Sequence, residues 1–154
     1  MKELTEVEIF LKSVIGLKIT IDATEAEIKM RQGEVSTLKG IRYDLPHVSG
    51  GRSGDLSDKV IAKEQAIERL TSDLVADIEE LNGRRKKLHE LIALLPTAEM
   101  KSIIQYRYIL GYSWNETAER LHFTDRNARY IFRKAINAWN EEYSTAVEKI
   151  LAPA

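Results

Sequence analysis

The 154-residue chain has no cysteine, only three prolines, and aromatic residues at just 7% of the total. Without cysteine there is neither a disulfide framework nor a thiolate metal site, a composition compatible with a reducing compartment. No apolar run approaches the ~18 residues of a membrane span, and the opening MKELTEVEIF has acidic residues where a secretory signal needs a basic region. A soluble, cytoplasmic protein with no membrane partner is therefore expected. The formal charge of −1 argues against a protein that coats nucleic acid indiscriminately, but it leaves room for a local basic surface. His47, His89 and His122 lie in a loop, an arm and a turn without ligand spacing, so no metal site is expected. No nucleophile sits with a base, and the carboxylates show no pairing beyond helix solvation. Neither a catalytic residue nor a cofactor is expected.

What the chain has is helical periodicity. Val7, Phe10, Val14, Leu17, Ile21, Ile28, Val35 and Leu38 recur at coiled-coil-like spacing, interrupted by Thr24 and Arg31, and predict one helix over residues 3–42. Gly16 and Gly33 weaken it by about 1 kcal/mol each relative to Ala. The stretch Tyr43 to Asp55, with Pro46 and three glycines, reads as a flexible connection. Ser49 to Gly54 lacks the Gly-Lys-Ser/Thr ending and the preceding strand of a phosphate-binding loop, so it is read as linker. A second arm is predicted from near Leu56, capped by Ser57, to Leu95. Its seam is Val60, Ile67, Leu70, Leu74, Leu81, Leu88, Leu91 and Leu95, with Lys63, Asp77 and Arg84 as polar interruptions.

Two such arms joined by one loop fold back as an antiparallel hairpin. Leu11, Ile15, Ile19, Ile61, Val75, Ile78 and Ile92 lie beside the seam, where a two-helix pair would leave much of the stripe in water. At about 25 cal/mol per Å² of apolar surface, further helices would recover that stabilisation, so a homodimer through the arms is expected. The run Arg84 to Lys87 is the most basic in the chain, but Glu80 precedes Arg84 by four residues, and the run reads as a solvated helix face.

Pro96 biases Leu95 away from helix and places a domain boundary there: a hairpin over 1–95, then a small domain over 96–154. Thr97 can cap the next helix, whose Ile103, Ile104, Tyr106, Tyr108 and Leu110 are expected in the core. After the break at Gly111, Ser113 with Glu116 forms a capping box for a short helix from Trp114 to near Leu121. His122 and Phe123 make a turn, and Thr124 caps a further helix with Asp125 in its first turn. Ala128, Ile131, Phe132 and Ala135 then form one buried stripe, and Asp125, Arg126, Arg129, Tyr130 and Arg133 the opposite face. Ala118 is small where the two helices meet. Trp114, Phe132 and Trp139 are read as core. The tail after Asn140 has Tyr143, Val147, Ile150 and Leu151 at helical spacing, either extending the last helix or folding back. The fold class is thus all-α, a long antiparallel hairpin followed by a helix-turn-helix.

The run GYSWNETAERLHFTDRNARYIFRKA, Gly111 to Ala135, resembles the C-terminal helix-turn-helix of sigma factors, the part that reads the upstream promoter element. With the preceding helix and the long arms, the chain resembles sigma-like phage proteins related to the RinA and ArpU late-gene transcriptional regulators. It departs from them at His122, where the family usually has Gly, and at Thr117 and Ala128, where it usually has larger aliphatic residues. The resemblance implies transcription control of phage late or packaging genes in the cytoplasm of a bacterial host, with RNA polymerase as a further partner.

Between Thr124 and Trp139 the cations Arg126, Arg129, Arg133 and Lys134 stand against Asp125 alone. Placement on the helix assigns Asp125, Arg126, Arg129 and Tyr130 to base edges of double-stranded DNA, and Thr124, Arg133 and Lys134 to phosphates. A dimer would present two such helices to major grooves about 34 Å apart. Capping and an i+4 pair with Arg129 explain Asp125 equally well. Two alternatives stay open: a ring-forming small terminase subunit recognising packaging DNA, and a helical protein interaction adaptor.

Overall fold

The computed structural model describes residues 4–44 and 52–153, with side chains for 4–41 and 56–153. Among these residues every regular element is helical: α1 (Glu6–Asp44), α2 (Arg52–Leu94), α3 (Ala98–Ile104), a π-helical turn (Gln105–Ile109), α4 (Trp114–Leu121), α5 (Asp125–Glu141) and α6 (Ser144–Leu151). The all-α class and the long antiparallel pair of α1 and α2 are as the periodicity dictates. Both arms are longer at the connection than read from sequence. Helix α1 continues to Asp44, and α2 begins at Arg52, so Ser57 lies inside the helix and caps nothing. The expected connection is correspondingly shorter, and its residues 45–51, His47 included, lie outside the described residues.

The chain forms two compact units, residues 1–18 with 80–154, and residues 19–79. The first therefore contains the ends of both long helices together with α3 to α6, whereas the sequence boundary fell between residues 95 and 96.

In the first unit Val7, Leu11 and Val14 of α1 and Leu81, Leu88, Leu91 and Ile92 of α2 are buried, as are Leu95 and, beyond Pro96, Ile103 and Ile104. The break at Pro96 is followed by the expected cap, with Thr97 Oγ1 accepting from the Met100 amide at 3.2 Å. Helix α3 then opens into the π turn, where the Leu110 amide donates to Gln105 O at 3.0 Å, five residues back. Such a turn adds a residue to the helical repeat and rotates everything after it. That is why Leu110, expected in the core, is 51% exposed, while Tyr108 remains buried; Tyr106 is half-buried.

The Arg84 to Lys87 run is less solvated than its composition implies. Arg84 forms the expected pair with Glu80 and also donates to Ser13 O at 3.1 Å, while Arg85 donates to Ile109 O at 3.4 Å. Of its two alternatives, the tail does not extend α5 but folds back onto it as a separate helix. Helix α5 ends at Glu141, and the separate α6 buries Val147.

In the second unit the buried side chains are Ile21, Ile28, Val35 and Val60. Two polar interruptions of the seam, Lys63 and Arg31, find partners. Lys63 Nζ lies 2.9 Å from Glu34 Oε2, and Arg31 Nε lies 2.9 Å from Glu27 Oε2. The Lys63 hydrogen bond and its charge hold the Glu34 carboxyl below its ordinary value. Lys39 and Glu64 form a further pair at 2.9 Å.

Candidate nucleic-acid interface

Helix α4 starts where the capping box placed it, with Ser113 Oγ accepting from the Glu116 amide at 3.1 Å. It stops because His122 takes the left-handed conformation, φ 58° and ψ 37°. The His122 amide then reaches Glu119 O at 3.2 Å and the Phe123 amide reaches Ala118 O at 2.8 Å. This is the Schellman arrangement, which satisfies carbonyls the helix end would leave open. Phe123 packs against the cluster of Ile103, Ala118, Ala128 and Ile131, so the turn is anchored by the same residues that join α4 to α5.

Thr124 caps α5, its Oγ1 accepting from the Asn127 amide at 3.1 Å. The inner face of α5 is as read: Ala128 and Ala135 are fully buried, Ile131 nearly so, and Phe132 partly. Small residues at Ala118 and Ala128 let the two helices approach closely. Thr117 is also fully buried, with its hydroxyl oxygen unpartnered in the structure.

On the outer face Arg126, Arg129, Tyr130, Arg133 and Lys134 are exposed, and Asp125 is half-buried. They divide by what they touch. Asp125 Oδ2 accepts from Arg129 Nε at 3.0 Å, and the Arg129 guanidinium lies 5.2 Å from the centroid of the Trp114 ring. Lys134 Nζ sits 4.7 Å from the Tyr130 ring centroid. Arg126 and Arg133 have no hydrogen bond, ion pair or ring contact with another described residue, and so are the free cations of this face. Of the assigned base readers and phosphate holders, all but Asp125 are exposed, and Asp125 is half-buried with Oδ1 buried and unpartnered. Asp125 is committed within the chain, and Arg129 is held in a fixed direction.

The role of Trp114 is more than the core packing read from sequence. It packs edge-on against Phe132 at 5.0 Å, and it carries Arg107 at 4.7 Å in addition to Arg129. Arg107 donates to Tyr112 O at 2.7 Å, and Arg120 lies over the Tyr112 ring at 5.4 Å. Arg107 and Arg120 were not among the sequence candidates. Their contacts join residues on different elements, and no local spacing marks them. By contrast Trp139 is core throughout, fully buried.

Among the described residues no group of histidines and carboxylates is placed to hold a metal, and no helix is long and apolar enough to cross a membrane. Comparison with protein-family models, curated proteins and solved structures returns no match.

Proposed function

We propose that the chain is a sequence-specific double-stranded DNA-binding protein acting as a phage or prophage transcriptional regulator in a bacterial host. The observation that carries this reading is the two-sidedness of α5. It buries Ala128, Ile131 and Ala135 on its own domain and exposes Arg126, Arg129, Tyr130 and Arg133 on the opposite side. A recognition helix needs this division, because its inner face fixes its direction and its outer face enters the major groove.

In this reading Arg126 and Arg129 meet base edges with Tyr130, while Arg133, Lys134 and the Thr124 hydroxyl, which retains its proton for donation, hold phosphates. Asp125 acts chiefly by directing Arg129. The regulator works as a homodimer through its arms, with RNA polymerase as the further partner that the resemblance to sigma-like regulators implies.

Selection of bound duplexes from a random pool tests the reading, run with the native protein and with Arg126 and Arg129 both changed to Ala. The expected result is one enriched motif, preferably as two half-sites, that disappears with the double variant. Affinity should also fall steeply with salt as phosphate contacts release counterions. Absence of any enriched duplex at low salt overturns the reading in favour of an adaptor, and a ring of eight or more copies favours the packaging role.

A further inference from the structure

The side of α1 turned away from its seam within the second compact unit carries Ile19, Ala23, Ala26, Met30, Gly33, Thr37 and Gly40. They recur at alternating steps of four and three, so they form one continuous stripe. All are exposed, Ile19 by 62% and Met30 by 55%. In a two-helix pair these positions lie farthest from the partner and are ordinarily charged. Here none is, although charged residues are frequent on the rest of the same segment.

The glycines sharpen the point. A Cβ added at Gly33 or Gly40 would meet nothing within 4 Å among the described residues. Glycine weakens a helix interior, and nothing among the described residues uses the space its missing side chain leaves. Close approach by another backbone would use it.

We propose that this stripe is the contact between two copies of the chain, which pair antiparallel about a two-fold axis passing between Ala23 and Ala26. The stripe is self-complementary in that register. Ala23 meets Ala26 of the second copy, and Ile19 meets Met30, so small faces small and large faces large, twice by symmetry. Asp22 and Lys29 flank the stripe on one side, and the same register sets each beside the other in the second copy, giving two opposite-charge pairs. A parallel pair gains Lys29 beside Glu34 but sets Asp22 against Glu27, so its flanking charges cancel. In this register the stripe meets itself from Ile19 to Met30, about 18 Å at 1.5 Å per residue, and Gly33 falls opposite Gly16 of the second copy. The contact would cover a unit whose own buried side chains are only Ile21, Ile28, Val35 and Val60 among the described residues.

This deepens the dimer of the preceding reading by naming its face and direction, and it does not rest on DNA binding. A dimer that binds no duplex keeps this contact and sinks the DNA reading; a monomer that binds duplex does the reverse. Sedimentation velocity of the full chain over a range of concentrations is the test. The native protein is expected to dimerise, and Ala26→Glu to raise the dissociation constant at least about tenfold with helical circular dichroism unchanged. Val75→Glu, at a position 51% exposed on α2, is expected to leave the dimer intact.

Because the chain has no cysteine, Ile19→Cys and Met30→Cys proteins can be mixed and oxidised to read direction. Cross-links between the two variants support the antiparallel register. Cross-links only of like with like overturn it. A native protein that stays monomeric up to about 100 micromolar, a dimer indifferent to Ala26→Glu, or one lost in Val75→Glu each overturns the proposed face.

Discussion

The indole Nε1 of Trp139 donates to the carbonyl oxygen of Leu91 at 2.9 Å, a bond between two fully buried residues 48 positions apart. It exists because α2 ends tightly: the Leu95 amide turns to Ile92 O at 3.0 Å. The Leu91 carbonyl thereby loses its ordinary partner four residues on, and Trp139 supplies the replacement. The last turn of α2 and the last third of α5 are thus one packed structure. Trp139→Phe should cost about 2–3 kcal/mol, since it leaves a buried acceptor unpaired and a small void. Urea unfolding would measure this as a lowered midpoint with an unchanged slope.

His122 offers the opposite sign. Its left-handed backbone, φ 58°, costs a side chain with a Cβ about 1–2 kcal/mol. Part of that saving is offset by glycine's greater freedom in the unfolded chain. His122→Gly is expected to stabilise the protein by about 1 kcal/mol, read as a raised melting temperature with the helical content unchanged. Loss of stability would mean that the imidazole makes a contact worth more than the backbone strain.

These two residues also show what the sequence discloses. The turn at His122 and the caps at Thr97, Ser113 and Thr124 were legible because capping is local: donor and acceptor are three residues apart. The two faces of α5 were legible for the same reason, through their spacing. Leu110 was misread because the i to i−5 bonding after Gln105 changes the period on which its burial was judged. Contacts between elements were legible only as packing faces, such as Ala118 against the next helix, and not as particular polar partners. Nothing near Trp114 in sequence says that Arg107 and Arg129 share its ring, and nothing near Arg84 says that Ser13 O lies beside it. Of the candidate site, the positions and the local Asp125–Arg129 pair were therefore readable, and the partnerships between elements were not.

Tyr108 links stability to alkaline pH. Burial raises its phenol above the ordinary value, with the Arg107 guanidinium acting in the opposite direction. A folded-state pKa above the unfolded one gives a contribution that is fully present below the unfolded pKa, about 10. It is lost as pH rises through the folded value, because the unfolded chain releases the proton first. Tyr108→Phe has no such proton, so its stability should decline less than that of the native protein between about pH 9 and pH 11. Paired urea titrations at the two pH values give the difference; equal declines would mean that the phenol is not kept protonated by the fold.

Trp114 is expected to act on DNA through Arg129. The indole ring and the Asp125 carboxylate hold the guanidinium from two sides, at 5.2 Å from the ring centroid and 3.0 Å from Oδ2. A cation so held loses less rotamer freedom on binding than a free one. Arg129→Ala should weaken binding at the preferred site by about 1–3 kcal/mol. Trp114→Leu, which keeps an apolar side chain against Phe132, should weaken it by a substantial part of that amount with the fold intact. The two losses should not add, because the second change removes a guide from a residue already absent. A double-mutant cycle on duplex affinity measures the coupling. Additive losses would make Trp114 an independent contact, while a Trp114→Leu protein that binds like the native one would leave Arg129 to find the groove unaided.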